Sequence, residues 1–207
     1  MNLWAVLPVK PLKCGKSRLH GCLSEDEVYA LNRSMFENTY EMLRASTAIE
    51  QVLVVSSDEE IHDYVYQTGG TPLREKPPYS LNSAVTQALA YINENDPGKV
   101  LIVPSDLPMM TAEDLAGFLS LSRKGRFLAL VPDQCQWGTN AILISHPHLL
   151  TPRFGRRSFQ KHAMQAAIHS AELIVWLNRN IQRDLDTPQD LFVYNKIKPH
   201  SIQFLKV

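Results

Sequence analysis

Apolar positions along this chain follow two rhythms that alternate from end to end. Short continuous apolar runs occupy Leu3 to Val9, Gln51 to Val55, Lys99 to Val103, Phe127 to Val131, Asn140 to Ile144 and Leu173 to Leu177. Runs of this length, rich in Val, Leu and Ile, predict buried strands. Between them, apolar residues recur every three or four positions, as on one face of a helix. Val28, Leu31, Met35 and Met42 form such a stripe behind Ser24, and Ser24 with Glu27 has capping-box spacing. Ser57 with Glu60 repeats that spacing ahead of Ile61 and Val65. Asn82 leads a stripe of Val85, Leu89 and Ile92, and Thr111 caps one of Leu115, Phe118 and Leu119. Ser158 to Ile168 reads as a helix with Phe159, Ala163, Ala166 and Ala167 on one side. Thr187, Pro188 and Asp190 suit the N-cap, first and third positions of a last helix.

This alternation predicts an α/β fold, a mixed but mostly parallel sheet covered by helices on both faces. The 207 residues suit a single domain, 1–207, without repeats or linkers. Leu73 to Leu81, with Pro77 and Pro78, and Pro147 to Arg157 read as loops. In sheets of this kind ligands bind beyond the carboxyl ends of the strands, so chemistry is sought there.

Lys plus Arg equals Asp plus Glu at 21 each, so the overall charge gives no reason to expect a nucleic-acid partner. The first apolar run meets Lys10 at once, which is too short for a signal segment or a membrane span. Cys14, Cys22 and Cys135 are scattered and unpaired in sequence, as expected of reduced thiols. Both observations predict a cytoplasmic protein without a membrane partner.

Four groups at strand ends carry the candidate chemistry. After the first strand, Lys10, Lys13, Lys16 and Arg18 put four cations into nine residues. Gly15-Lys16-Ser17 is not a P-loop, because the glycine required at position 10 is Lys10. A basic loop there can still hold a triphosphate, since lysines act as point charges on phosphate. Asp106 follows the Lys99 to Val103 strand between Pro104 and Pro108, and a carboxylate at that place suits Mg²⁺ as well as a simple turn. Asp184 and Asp186 are two apart, so in an extended segment they face one point while Leu185 faces the core. Asp190 reads only as a capping acid. Gly138-Thr139-Asn140, with Phe154 to His162, forms the last group. Gly155, two arginines and Ser158 at a helix start make an anion site, whereas His162 reads as structural.

Taken in order, these stretches resemble the 2-phospho-L-lactate guanylyltransferases of deazaflavin coenzyme (F-420) biosynthesis. The resemblance runs from Trp4 to Leu191 and rests on Val9 to Leu12, Lys16 to Leu19, Leu81-Asn82, Ser105 to Pro108, Gly138 to Asn140, Phe154-Gly155 with Ser158, Phe159 and His162, and Asp184 to Pro188 with Asp190-Leu191. Ser80 stands where the family usually has glycine, and Trp137 where it usually has a small residue. The resemblance implies a nucleotide-diphospho-sugar transferase, Rossmann-like fold, with GTP as donor and Mg²⁺ as cofactor. It implies that Asp106, Asp184 and Asp186 bind the metal, and that Thr139, Gly155 and Ser158 hold a phospho-acid. It further implies that Lys10, Lys16, Ser17, Arg18, Leu81 and Asn82 serve the nucleotide. The expected reaction moves GMP from GTP to 2-phospho-L-lactate, phosphoenolpyruvate or 3-phospho-D-glycerate. Diphosphate then leaves toward Lys16 and Arg18 as the catalytic cations. Rival readings are a sugar-phosphate or molybdopterin nucleotidyltransferase, and a silent nucleotide-binding protein. The tail from His200 to Val207 could pair with a second chain in a homodimer or add an edge strand; both stay open.

Overall fold

A computed structural model describes residues 2–197. The tail expected to pair or to extend the sheet, His200 to Val207, lies outside those residues. The sheet has seven strands: β1 (Leu3–Pro8), β2 (Gln51–Ser56), β3 (Thr71–Arg74), β4 (Lys99–Ile102), β5 (Phe127–Pro132), β6 (Thr139–Ile144) and β7 (Glu172–Val175). Their spatial order is β3-β2-β1-β4-β6-β5-β7. All neighbours pair in parallel except at β6, which is antiparallel to both β4 and β5. The reversal has a local cause. β5 and β6 are joined by a short turn in which Asp133 accepts the Trp137 and Gly138 N–H groups, each at 2.8 Å. A side chain at 138 would collide with that carboxylate, because a Cβ there would lie 2.6 Å from Asp133 Oδ2.

Strand periodicity divides the core into two layers. Leu3, Ala5 and Leu7 of β1 face one side, where α1 (Glu25–Ala45), α2 (Glu59–Gln67) and α4 (Ala112–Leu119) bring Phe36, Tyr40, Ile61, Val65 and Phe118. Trp4 and Val6 face the other side, where α3 (Leu81–Asn95) brings Val85, Ala88, Leu89 and Ile92, and α5 (Ser158–Ile168) brings Ala166. The last helix, α6 (Pro188–Ile197), packs Leu191 and Tyr194 into a third, smaller cluster. No helix among the described residues is long and apolar enough to cross a membrane.

Several expectations are corrected. Thr71–Arg74, partly assigned to loop, is the edge strand β3, in register with Leu53 to Ser56. Asp58 rather than Ser57 caps α2, accepting the Glu60 N–H at 3.1 Å. Helix α3 starts at Leu81, one residue before Asn82, with Ser80 as its cap. The inner face of α5 is Ser158, His162, Gln165 and Ala166, whereas Ala167 is exposed. That face turns inward because His162 and Gln165 satisfy groups of neighbouring loops, which outweighs burying one more methyl. Strand β7 stops at Val175, and Leu173, Val175 and Leu177 are exposed, as an edge position allows.

The chain leaves β1 for β2 on one side and returns to place β4 on the other. The crevice beyond the carboxyl ends of β1 and β4 is therefore the switch point at which open α/β sheets bind ligands.

Candidate active site

The basic loop after β1 is held from several sides. Leu12 is buried, and its N–H donates to Asp58 Oδ2 at 2.8 Å. The Asn32 amide of α1 donates to the Leu12 and Cys14 carbonyls at 2.9 and 3.4 Å. Lys16 then takes a left-handed φ of 50° and opens a short 3₁₀ turn, Ser17–Leu19. The turn delivers the ammonium of Lys16 inward. Its Nζ lies 2.9 Å from Asp106 Oδ2 and 2.7 Å from Asp186 Oδ1, with its side chain only 7% exposed.

A small apolar cluster explains why residues so distant in sequence meet. Leu19, Met109 and Leu185 are packed together with Leu23, Leu31 and Leu191. Lys16 precedes Leu19 by three residues, Asp106 precedes Met109 by three, and Asp184 and Asp186 flank Leu185. Burying the three apolar side chains therefore draws the charged ones to a common rim. A backbone bond from Leu185 N–H to the Asp106 carbonyl, 3.0 Å, sets the register. Asp190 adds more than a cap. Its Oδ2 accepts the N–H groups of Asp186 (3.2 Å) and Thr187 (2.7 Å) and the Thr187 hydroxyl (2.7 Å).

The carboxylates are not equivalent. Burial, then the charges of Asp106 and Asp186, push Asp184 up to about 6. Burial would also lift Asp186, but Lys16, with Arg18 and Lys10, holds it below the usual carboxylate range. Burial works against the Lys16 charge, yet Asp106 and Asp186 keep its ammonium above the ordinary lysine value. Asp106 and Asp186 thus share one buried cation, while Asp184 stands beside them without an ion pair among the described residues. Among the described residues no three acidic, imidazole or thiol groups stand close enough to cage an ion by themselves. The cation between Asp106 and Asp186 is Lys16.

Beside this group opens a cleft of about 580 Å³, lined by Lys10, Lys16, Leu81, Asp106 and Asp186. Ser17 and Arg18 are exposed on the 3₁₀ turn and do not line it, although Arg18 acts on Asp186 through its charge. The cleft is also lined by Ser80 and by Glu75 and Tyr79, the last two of which sequence reasoning passed over. They follow β3, whose four residues and internal proline hide it from a search for apolar runs.

Thr139, Gly155 and Ser158 form a second group. Thr139 Oγ1 lies 3.0 Å from Nδ1 of His162, whose Nε2 accepts the Arg153 N–H at 3.0 Å. An acceptor at Nε2 places the ring proton on Nδ1, so His162 donates to Thr139. His162 is fully buried, and burial, with Lys161 nearby, pushes it down to about 4, so it is neutral near pH 7. Its structural reading stands: it fixes Thr139 and the Arg153 loop together. Gly155 has φ 105°, which side-chain-bearing residues rarely adopt, and its carbonyl accepts the Ser158 N–H at 3.0 Å. Trp137 is half exposed beneath the Arg157 guanidinium, 5.6 Å from the ring centroid. Asn82 joins the two groups. Its Oδ1 accepts the Phe154 N–H at 2.7 Å, and its Nδ2 donates to the Phe154 carbonyl at 3.2 Å.

Comparison with known proteins gives consistent matches. The family model described as "Guanylyl transferase CofC like" matches residues 3–205. A phosphoenolpyruvate guanylyltransferase of Rubrobacter xylanophilus is 32% identical over 191 residues, 92% of each chain. A 2-phospho-L-lactate guanylyltransferase of Methanocaldococcus vulcanius is 26% identical over 204 residues, 97% of this chain and 89% of that one. Among solved structures, a Desulfovibrio desulfuricans protein described as a nucleotide-diphospho-sugar transferase superposes with a TM-score of 0.77 at 18% identity. The match covers 97% of this chain and 90% of that one. At that identity the likeness shows the fold, which is that of the nucleotide-diphospho-sugar transferases.

Proposed function

The chain belongs to the CofC-like guanylyl transferase family, and from that premise we propose that it joins the GMP part of GTP to a small phosphorylated carboxylic acid in coenzyme F-420 biosynthesis. Phosphoenolpyruvate and 2-phospho-L-lactate are the acids named for its relatives, and 3-phospho-D-glycerate has the same chemistry. The observation that carries the reading is the buried Lys16 ammonium, shared by Asp106 and Asp186 at the mouth of a nucleotide-sized cleft.

An oxygen of the acceptor phosphate attacks the α-phosphorus of GTP. The bond from that phosphorus to the bridging oxygen breaks, and diphosphate leaves with the electron pair. No general base is required, because a phosphate monoester is already largely dianionic near pH 7. The obstacle is repulsion between two anions, so catalysis consists of positioning and charge neutralisation. Lys16 has three N–H donors; two serve Asp106 and Asp186, and the third is left for a phosphate oxygen. Lys10 lines the same cleft, and Arg18 flanks Asp186 to receive the leaving diphosphate. Thr139, held by His162, and the Gly155–Ser158 turn orient the acceptor phosphate.

The family also implies Mg²⁺, and the chemistry of the donor set suits it, although among the described residues the carboxylates do not close a cage and Lys16 stands between Asp106 and Asp186. Asp106, Asp184 and Asp186 are hard oxygen donors, and Asp184 is held up by burial first and by the neighbouring carboxylates second. Bound there, the ion would polarise the α-phosphate and offset the charge between donor and acceptor.

The test is diphosphate release from GTP with each of the three acids in turn. Release with at least one acid is expected. No release with any of them, alongside release with a sugar phosphate or a molybdopterin, would transfer the chain to one of those reactions. GTP binding without any turnover would make it a silent nucleotide-binding protein.

A further inference from the structure

We propose that Glu75 selects the base of the nucleotide, its open carboxylate oxygen accepting the N1–H and 2-amino groups that guanine alone presents side by side. The proposal rests on the reading of the cleft as a nucleoside triphosphate site.

Glu75 is held rigidly. It leaves β3 with its N–H donating to the Ser56 carbonyl at 2.8 Å, one residue beyond the strand ladder. The next residue, Lys76, exchanges two backbone hydrogen bonds with the Gln87 amide of α3, both 2.9 Å. Glu75 Oε1 accepts the Ser80 N–H at 3.0 Å. The residue is 8% exposed, yet among the described residues no cation pairs with its carboxylate and no donor reaches Oε2. Every described side-chain oxygen or nitrogen shut off from solvent has a partner, so Oε2 is open. Glu75 lines the cleft.

A fixed carboxylate with one oxygen open in a cleft is an acceptor for N–H donors. The direction of the cleft says which donors. Lys16 and Asp106 follow β1 and β4, whereas Glu75 follows β3, two strands away from β1, so with the phosphates at Lys16 the base of a bound nucleotide extends toward Glu75, Tyr79 and Leu81. Guanine offers two adjacent donors on its Watson–Crick edge. Adenine and cytosine place a ring-nitrogen lone pair beside their amino group, which repels a carboxylate, and uracil sets one donor between two acceptors. The plain structural alternative is that Glu75 only caps the Ser80 N–H at the start of α3. That accounts for Oε1, and a glutamine would do it equally well.

Glu75→Gln separates the two readings, because it keeps the cap and replaces the open acceptor with a donor. The full chain is tested for GTP, ITP, XTP and ATP, by nucleotide binding without acceptor and by diphosphate release with the best acid. In the variant, the KM for GTP is expected to rise roughly 10- to 100-fold, the worth of a hydrogen bond to a charged group. XTP, whose 2-oxo group accepts from an amide, is expected to gain. An unchanged KM for GTP, with thermal stability also unchanged, overturns the proposal. If the variant fails to fold, the native chain decides. Weaker use of ITP, which lacks the 2-amino group, is expected; equal use of GTP and ITP overturns base selection at this edge. A chain that prefers GTP to ATP in binding but releases no diphosphate refutes the reaction and leaves Glu75 standing, whereas normal turnover with an indifferent Glu75→Gln refutes Glu75 alone.

Discussion

The backbone N–H of Leu185 donates to the backbone carbonyl of Asp106 across 79 positions of sequence, at 3.0 Å. This bond sets the Asp184–Asp186 segment against Asp106 without using a carboxylate. The acids can therefore be neutralised one at a time while the strand end keeps its place.

Asp184→Asn tests that separation. Diphosphate release should fall about 100-fold or more, the usual scale for losing one preorganised charge interaction. Asp184 is buried beside Asp106 and Asp186, so the amide removes like-charge repulsion. Thermal melting should show the midpoint unchanged or higher by a few degrees. A variant with native turnover would remove Asp184 from the site.

Lys16→Met should cost both activity and stability. The ammonium is the buried cation shared by Asp106 and Asp186, and without it the acids lose their compensation. Turnover should drop at least 100-fold. The melting temperature should fall by several degrees and recover, in part, when Mg²⁺ is added. Identical melting curves with and without Mg²⁺ would argue against an ion at these carboxylates.

Asn82→Ala should act on the acceptor more than on the nucleotide. Both polar atoms of the Asn82 amide are engaged by the Phe154 backbone, which leads into Gly155. Losing the two bonds costs about 1–3 kcal/mol of loop positioning. Initial-rate measurements should show the KM for the phospho-acid rising more than that for GTP. The reverse order would return Asn82 to the nucleotide side.

His162 should make stability fall in acid. Its pKa in the fold is about 4, below the ordinary 6.5, so the unfolded chain binds the proton more readily between those values. The stabilisation is complete above about pH 6.5 and is lost as pH falls toward 4. Its size is on the order of 3 kcal/mol. Melting temperature against pH should therefore drop less steeply over that window in His162→Gln than in the native chain. Parallel curves would show that His162 is not held neutral by the fold.

Much of the architecture was legible in order along the chain. Continuous apolar runs announced six of the seven strands, and the capping patterns at Ser24, Thr111 and Thr187 marked helix starts that the structure keeps. These signals are local, carried by neighbours in sequence, so no folding is needed to read them. Strand β3 escaped because Thr71-Pro72-Leu73-Arg74 is a short edge strand, stabilised by pairing with β2 rather than by its own composition. The α2 cap falls one residue after Ser57 because Ser57 and Asp58 are both competent, and Asp58 also takes the Leu12 N–H.

The residue types of the site were equally visible: a basic loop, lone acids after strands, a glycine–arginine stretch before a helix. Their partners were not. That Lys16 lies between Asp106 and Asp186, that Asn82 serves Phe154, and that Glu75 keeps an oxygen open are consequences of packing. Sequence alone determined the alternation of strand and helix and the chemical stock at the strand ends, because both depend on residues a few positions apart. Only the tertiary structure decided which charges meet. Burial of Leu19, Met109 and Leu185 in one cluster brings together segments 76 to 166 positions apart, and that packing has no signature in any one of them.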